Sequence, residues 1–493
     1  MKKSKNYIKK GIYFLILAVL IVPYIQKREG FIKVEKLNGS FEKKEIKVPP
    51  LQLKTYQTEE FQRNYKERYK EEFGFKNTLI RVHNQLNYSL FDVANSRGVI
   101  VADDNVMMPG GYIKSYLGVD VASREKIEIA VKKARAVQDS LKKKGKAFFF
   151  LIAPGKASVY PEKIPEYFFI DYPKKASNYE IFTELLIKYK VNYIDFRKYV
   201  VENKAKFKYP IFPSMGIHWS GNTVAIAMDS MLSYIENQHH VPIQQISLSE
   251  GEKTVKNYRY TDYDIGESMN LLWFSSRDTL HYPSITYEEF DKKKPKILGV
   301  GDSFIESFMG FYDIIDTCFS TDSRIWFYNR IIDWPKNLHG IEVPKLDLSI
   351  ELANKDVVFV ETSEENIRML GYSFIEDLDD YFTGKDQIPK DLESYYLNLL
   401  KNPKVLNEAK GLSNLLGYSI EEATRSLAKY ELEKLPLADF DFEKEVAYQI
   451  TQIKKNKKWL DLVKKQAIQK NIPLDENIRA NAVWMVNESL GKN

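Results

Sequence analysis

Lys296 to Phe304, K-I-L-G-V-G-D-S-F, is the stretch from which this 493-residue chain is best read. A short apolar run breaks at Gly301 and delivers Asp302 and Ser303 at its end. Such a run reads as a buried strand giving way to a turn, where a serine can be approached by a base and a substrate together. Serine needs that base, because its hydroxyl is a poor nucleophile at neutral pH. Upstream, Met215 to Ser220, M-G-I-H-W-S, offers a lone histidine, His218, beside Trp219. G-D-S turns and single histidines are each common. Together in one globular segment they point to hydrolytic or acyl-transfer chemistry.

Outward from these motifs, helical and strand patterns alternate. Arg124 to Lys144 carries Ile127, Ile129, Val131, Ala134, Val137 and Leu141 at helical spacing. It feeds Ala147 to Ala153, A-F-F-F-L-I-A, apolar enough to be buried on both faces as a central parallel strand is. A helix at 179–190 precedes a strand at 191–196, and a helix at 222–235 follows His218, with Ser220 as its N-cap. Asp356 to Val360 is a further buried strand. Upstream, 58–91 has helical periodicity, 98–101 reads as a strand and 108–112 as a turn. This pattern predicts an α/β doubly wound parallel sheet, whose ligands sit beyond the carboxyl ends of the strands, where Ser303 lies. Beyond Arg368 the leucine groupings among Lys and Glu read as short accessory helices with no visible chemistry.

The N-terminus sets the compartment. Five lysines within the first ten residues precede an apolar stretch from Gly11 to Ile25, and Lys27 and Arg28 follow. This predicts an uncleaved signal anchor with a cytoplasmic N-terminus and everything after Arg28 exported. The expected organisation is an anchor at 1–30, a linker at 31–57, a catalytic domain at 58–370 and a helical region at 371–493. A net charge of +6 from 73 basic and 67 acidic residues is spread along the chain and implies no nucleic-acid partner. The single cysteine, Cys318, excludes an intramolecular disulfide framework and a cysteine-based metal site. Apart from His239 and His240 the histidines are scattered singly, which indicates no metal.

The order of these features resembles the periplasmic alginate O-acetyltransferase family, whose SGNH-hydrolase-like domain is circularly permuted so that the histidine precedes the serine. The matching pieces are Gly98 to Val101 followed by Gly111-Tyr112, the segment Leu151 to Glu162, L-I-A-P-G-K-A-S-V-Y-P-E, then His218-Trp219-Ser220, and Gly301 to Phe304. The resemblance spans about residues 58 to 370. It implies transfer of an acetyl group through a serine acyl-enzyme to a polysaccharide hydroxyl, with Ser303 as nucleophile and His218 as base. It also implies a multi-spanning membrane O-acyltransferase as the source of the acyl group, on the periplasmic side of the inner membrane, and no cofactor. Two alternatives stay open on the residues: a carbohydrate acetyl esterase with the same serine and histidine, and a non-catalytic polysaccharide-binding scaffold.

The family places an aspartate two residues before the histidine, and this chain has Gly216 there. A serine–histidine dyad oriented by a backbone carbonyl, a carboxylate brought in from Asp262, Asp264 or Glu361, and loss of catalysis are all compatible with that departure. Asp302 reads as a turn-stabilising residue. Asn329 or Tyr328 is a candidate second donor to an oxyanion beside the backbone N–H of Ser303. Trp219 is a candidate for sugar stacking, with core packing as its rival, and Lys156 a candidate for binding an anionic sugar, with a solvated loop lysine as its rival.

Overall fold

A computed structural model describes residues 2–39, 46–50, 53–273, 278–388, 392–434, 442–470 and 472–489. Among the described residues, ten strands fall in three sheets. β1 (Val99–Val101) and β2 (Met107–Pro109) pair antiparallel, as do β5 (Ile246–Thr254) and β6 (Leu280–Tyr287). The central sheet contains β3 (Ala147–Ala153), β4 (Tyr193–Asp195), β7 (Ile297–Gly301), β8 (Arg324–Phe327), β9 (Ile331–Trp334) and β10 (Val357–Ser363). Its order is β4-β3-β10-β7-β8-β9, parallel throughout except for the antiparallel edge strand β9.

Side-chain alternation places a core on each face of this sheet. Phe149, Leu151, Ile297 and Phe359 pack on one face with the Gly221–His239 helix. Phe148, Phe150, Leu298, Val300, Val358 and Val360 pack on the other, against the Arg124–Lys143 and Asn178–Tyr189 helices. All seven residues of β3 are buried, as the unbroken apolar run predicts. Cys318 is buried, and its burial pushes the thiol up to about 12.

Several elements differ from the sequence expectation. The turn at 108–112 is the end of β2 and the start of a Gly110–Leu117 helix. The 58–91 pattern is two helices, Glu59–Glu71 and Lys76–Phe91, and in the second Leu79, Leu86 and Leu90 are exposed. Ile129 is also exposed. The Phe374–Thr383 helix contributes Phe374, Ile375 and Leu378 to the sheet core, so a boundary drawn at 370 cuts through that packing. The later helices hold two apolar clusters of their own.

At the N-terminus a helix covers Lys2–Glu29, and its Lys9–Glu29 stretch is long and apolar enough to cross a membrane. Residues 40–45 and 51–52 of the expected linker lie outside the described residues. Residues 31–39, part of the same linker, run against the globular part: Arg81 donates to Glu35 O and Lys36 O, and Asn38 N–H donates to Asn270 Oδ1.

Candidate active site

β7 ends at Gly301, and a helix begins at Ser303 with Asp302 as its N-cap, Oδ1 accepting from Phe304 N–H at 2.9 Å. A Cβ at Gly301 would stand 2.6 Å from Glu361 Oε2, so only glycine lets β7 and β10 close at this point. The abrupt strand-to-helix turn leaves Ser303 at the carboxyl end of the sheet, half-buried. As the first helical residue, its N–H has no intrahelical acceptor and is free to serve an anion.

Asp302 is completely buried and holds this turn from below. Its Oδ2 accepts from Ser363 N–H and Oγ, Asn366 Nδ2 and Tyr372 OH at 2.6 to 3.1 Å. Sequence reading gave Asp302 this role but missed Ser363, Asn366 and Tyr372, which lie at and beyond the end of β10. Glu361, equally buried, accepts from Asp302 N–H at 3.1 Å. Burial and the neighbouring Asp302 charge push the Glu361 carboxyl well above the usual range.

His218 reaches Ser303 from a loop fixed on three sides. Ser220, one residue past Trp219, caps the Gly221–His239 helix. Trp219 is fully buried, packs on Phe304 and Phe308, and donates from Nε1 to Ser307 Oγ at 2.6 Å. It is a core residue and presents no face to a sugar. Lys156 is also fully buried, and its ammonium donates to Pro213 O, Ser214 O and Gly216 O at 2.6, 3.0 and 2.8 Å. Both sequence readings of Lys156, sugar ligand and solvated lysine, give way to a brace behind the histidine loop. Desolvation pushes this ammonium down to about 7.

His218 Nε2 lies 2.9 Å from Ser303 Oγ, and Nδ1 lies 3.2 Å from Asp264 Oδ2. The carboxylate assigns the proton to Nδ1, which leaves Nε2 to accept from the serine hydroxyl. Asp264 opens the short Asp264–Ser268 helix, and its Oδ1 also accepts from Ile217 N–H at 2.9 Å. One carboxylate thus grips both the imidazole and the backbone just before it.

Of the three acids read from sequence, Asp264 alone meets His218. Asp262 accepts instead from Tyr282 OH at 2.8 Å and Gly221 N–H at 3.4 Å, and burial pushes it up to about 7. Glu361 sits under the nucleophile turn. Gly216 is not in the left-handed region, but a Cβ there would meet Thr261 O at 3.0 Å and Asp262 O at 3.2 Å. Of the two side-chain oxyanion candidates, Asn329 Nδ2 donates to Asp377 Oδ2 at 2.8 Å, whereas Tyr328 OH accepts from Asn366 Nδ2 at 3.3 Å and keeps its own O–H to donate. Tyr112, which the sequence reading used only as a motif marker, stands in the site. Its ring packs near Phe304, and burial, with smaller effects of Glu365 and Asp302, pushes its hydroxyl well above the ordinary tyrosine value.

Residues 114–314 match the family model of an SGNH hydrolase-like domain, acetyltransferase AlgX. No curated protein matches the chain. Among solved structures, the O-acetyltransferase domain of Pseudomonas putida AlgJ is similar at 18% identity and TM-score 0.38, over 58% of this chain and 99% of that one. Pseudomonas aeruginosa AlgX is similar at 12% identity and TM-score 0.38, over 57% of this chain and 67% of that one. Bacillus cereus PatB1 is similar at 11% identity and TM-score 0.33, over 50% and 92%. At these values no residue or substrate correspondence follows.

Proposed function

We propose, from a chain whose residues 114–314 match the model of an SGNH hydrolase-like domain, acetyltransferase AlgX, that it is an extracytoplasmic polysaccharide O-acetyltransferase acting through an acetyl-serine at Ser303. The observation that carries this reading is the continuous chain Asp264–His218–Ser303, with contacts of 3.2 and 2.9 Å. Ser303 Oγ attacks the acetyl carbonyl carbon of an activated donor while His218 Nε2 takes its proton. That proton leaves with the departing donor group. A sugar hydroxyl then attacks the acetyl-serine, gives its proton to Nε2, and Ser303 departs as the hydroxyl. Ser303 N–H faces the charge that develops on the carbonyl oxygen.

The Lys9–Glu29 helix supports a membrane anchor, with the site on the exported side by the positive-inside rule. A multi-spanning membrane O-acyltransferase is the donor we favour, because an exported site needs acetyl groups carried across the bilayer. The contact of Asp264 with His218 favours catalysis over the non-catalytic scaffold that the glycine at 216 raised.

The test is trapping. Purified protein with an activated acetyl ester should gain one acetyl group on the peptide containing Ser303, and oligosaccharide should discharge it to an acetylated sugar. A Ser303→Ala variant of unchanged melting temperature should do neither. Acetate release that sugar leaves unaffected would identify an esterase instead.

A further inference from the structure

The Lys76–Phe91 helix is built inside out. Its packed face is polar: Asn77 donates to Glu35 O, Arg81 to Glu35 O and Lys36 O, and Asn84 Nδ2 to Met269 O at 2.8 Å. Gln85 Oε1 accepts from Trp273 N–H at 3.2 Å, and Asn84 and Gln85 are both buried. Leu79, Leu86 and Leu90 share the opposite face at helical spacing and are 50%, 52% and 66% exposed. His83 lies on that face too, engaged with Asn87 Nδ2 at 3.0 Å. A helix between protein and water shows the reverse pattern, apolar inward and polar outward. Trp273, tied to the helix through its backbone, is itself 69% exposed.

The start of this helix is clamped to the end of the apolar N-terminal helix. Lys27 Nζ pairs with Glu72 at 2.7 Å, and Phe31 and Phe75 meet edge to face with ring centroids 6.0 Å apart. A Cβ on Gly74 would fall on Pro23 O, so backbone lies against backbone there. Pro23 belongs to the Lys9–Glu29 stretch and precedes its end by about 9 Å of helix rise. The corner Phe73-Gly74-Phe75 is therefore set at the headgroup level of any bilayer that this stretch crosses. Phe31 and Ile32, just past the stretch, are exposed apolar residues as well. The nearby bases are already engaged, Lys76 with Glu71 at 2.8 Å and Arg81 with its two carbonyls, so what this face offers is apolar surface rather than charge.

We infer that the Lys76–Phe91 helix lies in the lipid–water interface, with Leu79, Leu86 and Leu90 entering the acyl boundary and Trp273 at the headgroups. This rests on reading Lys9–Glu29 as a membrane anchor. An interfacial helix buries its apolar face about 5–10 Å into that boundary, and tryptophan is enriched at the same level. The catalytic site is tied to this seat. The Asp264–Ser268 helix, whose aspartate meets His218, ends at Met269, and Met269 O accepts from Asn84 on the packed face. One helix diameter, about 10 Å, separates that face from lipid. The crevice is thereby held at the surface where acetyl groups carried across the bilayer emerge.

Cys318 is the chain's single cysteine and is buried, so an introduced surface thiol can be labelled by itself. The full chain carrying Leu79→Cys, Leu86→Cys or Leu90→Cys, or Ile187→Cys as a control 65% exposed on the catalytic domain, takes an environment-sensitive fluorophore and is reconstituted in phosphatidylcholine vesicles with brominated acyl chains. Bromolipid should quench the three leucine-site labels severalfold more than the control, and aqueous iodide should do the opposite. Adding anionic lipid should change neither result. In Leu86→Asp/Leu90→Asp, the label at Leu79→Cys should lose most of its bromolipid quenching, while melting temperature and cleavage of a soluble activated ester stay parental. Equal quenching at all four sites, in chains that alkaline carbonate leaves in the vesicles, overturns the inference alone. Shielding from iodide without quenching by bromolipid means that a protein surface covers the face, and overturns it too. Release of the chain by carbonate overturns the anchor reading and the inference with it.

Discussion

Replacing Asp264 separates the charge of the orienting acid from its geometry. Asp264 Oδ2 holds His218 Nδ1 at 3.2 Å, while Oδ1 holds Ile217 N–H at 2.9 Å and Ile265 N–H at 2.7 Å. Asparagine can keep a carbonyl oxygen on the two backbone donors, but it cannot stabilise an imidazolium. In well-studied triads that change costs about 10⁴ in rate. Here the Asp264 side chain is 31% exposed and its contact to the imidazole is long, so water shares the stabilisation. The expected loss for Asp264→Asn is therefore smaller, on the order of 10² to 10³, or about 3 to 4 kcal/mol in barrier height.

The assay is initial-rate cleavage of an activated acetyl ester, with thermal melting run alongside. Asp264→Asn should melt within a few degrees of the parent protein. Asp264→Ala, which strands two backbone N–H groups, should melt distinctly lower. Asp262→Asn and Glu361→Gln serve as comparisons, since neither side chain reaches His218. An Asp264→Asn variant with the parental rate would refute the assignment of Asp264 as orienter. So would a loss as large in Asp262→Asn at equal stability.

Three further outcomes follow from the same geometry. Asp262 binds a proton in the folded chain up to about pH 7, whereas an unfolded aspartate releases it near 4. The folded state therefore holds more protons across that interval, stability falls as pH rises from about 4 to 7, and above 7 the penalty is complete. Denaturant melts across this range should show the fall, and Asp262→Asn should flatten it. Lys156→Met leaves the carbonyls of Pro213, Ser214 and Gly216 without their shared donor, which should cost about 2 to 4 kcal/mol by chemical denaturation and lower the ester-cleavage rate at temperatures where the variant is folded. Gly216→Asp, which restores the family's acid by sequence, should lower activity and melting temperature, because its Cβ enters contacts of 3.0 to 3.2 Å with Thr261 O, Asp262 O and Pro213 Cγ. A gain in rate would show that Asp264 is a poor orienter.

Much of the sheet was legible because its strands are buried on both faces. β3 announces itself as an unbroken apolar run, β10 by the apolar Val357 to Val360 at its start, and β7 carries the G-D-S turn at its end. The β5–β6 hairpin was not legible: its pattern is mixed, with Gly251 at a bulge and several exposed charged residues in β5. β8 and β9 were missed for a related reason, since each is only four residues long. In the site, Ser303 and His218, singled out by residue type and local context, lie 2.9 Å apart. Lys156 was not legible, because a lysine in a polar segment gives no sign that three carbonyls 57 to 60 residues away will enclose it. Tyr328 and Asn329, read as candidate oxyanion donors, lie in the turn after β8, where Tyr328 OH accepts from Asn366 and Asn329 donates to Asp377.

The displaced acid has a local cause. The backbone at Thr261 and Asp262 runs against Gly216, and Gly266 N–H donates to Met215 O at 3.2 Å, so the 261–266 segment occupies the side of the histidine loop where a side chain at 216 would project. That close approach brings Asp264, 46 residues along the chain from His218, within reach of Nδ1 and of Ile217 N–H together. A larger residue at 216 would push the segment away and withdraw the carboxylate. The glycine and the distant aspartate are therefore two halves of one arrangement: absence of a side chain at 216 admits the backbone that delivers the acid. A triad is a set of roles fixed in space, and on the proposed reading the orienter is a residue that tertiary packing brings to His218, which no local D-x-H pattern could reveal.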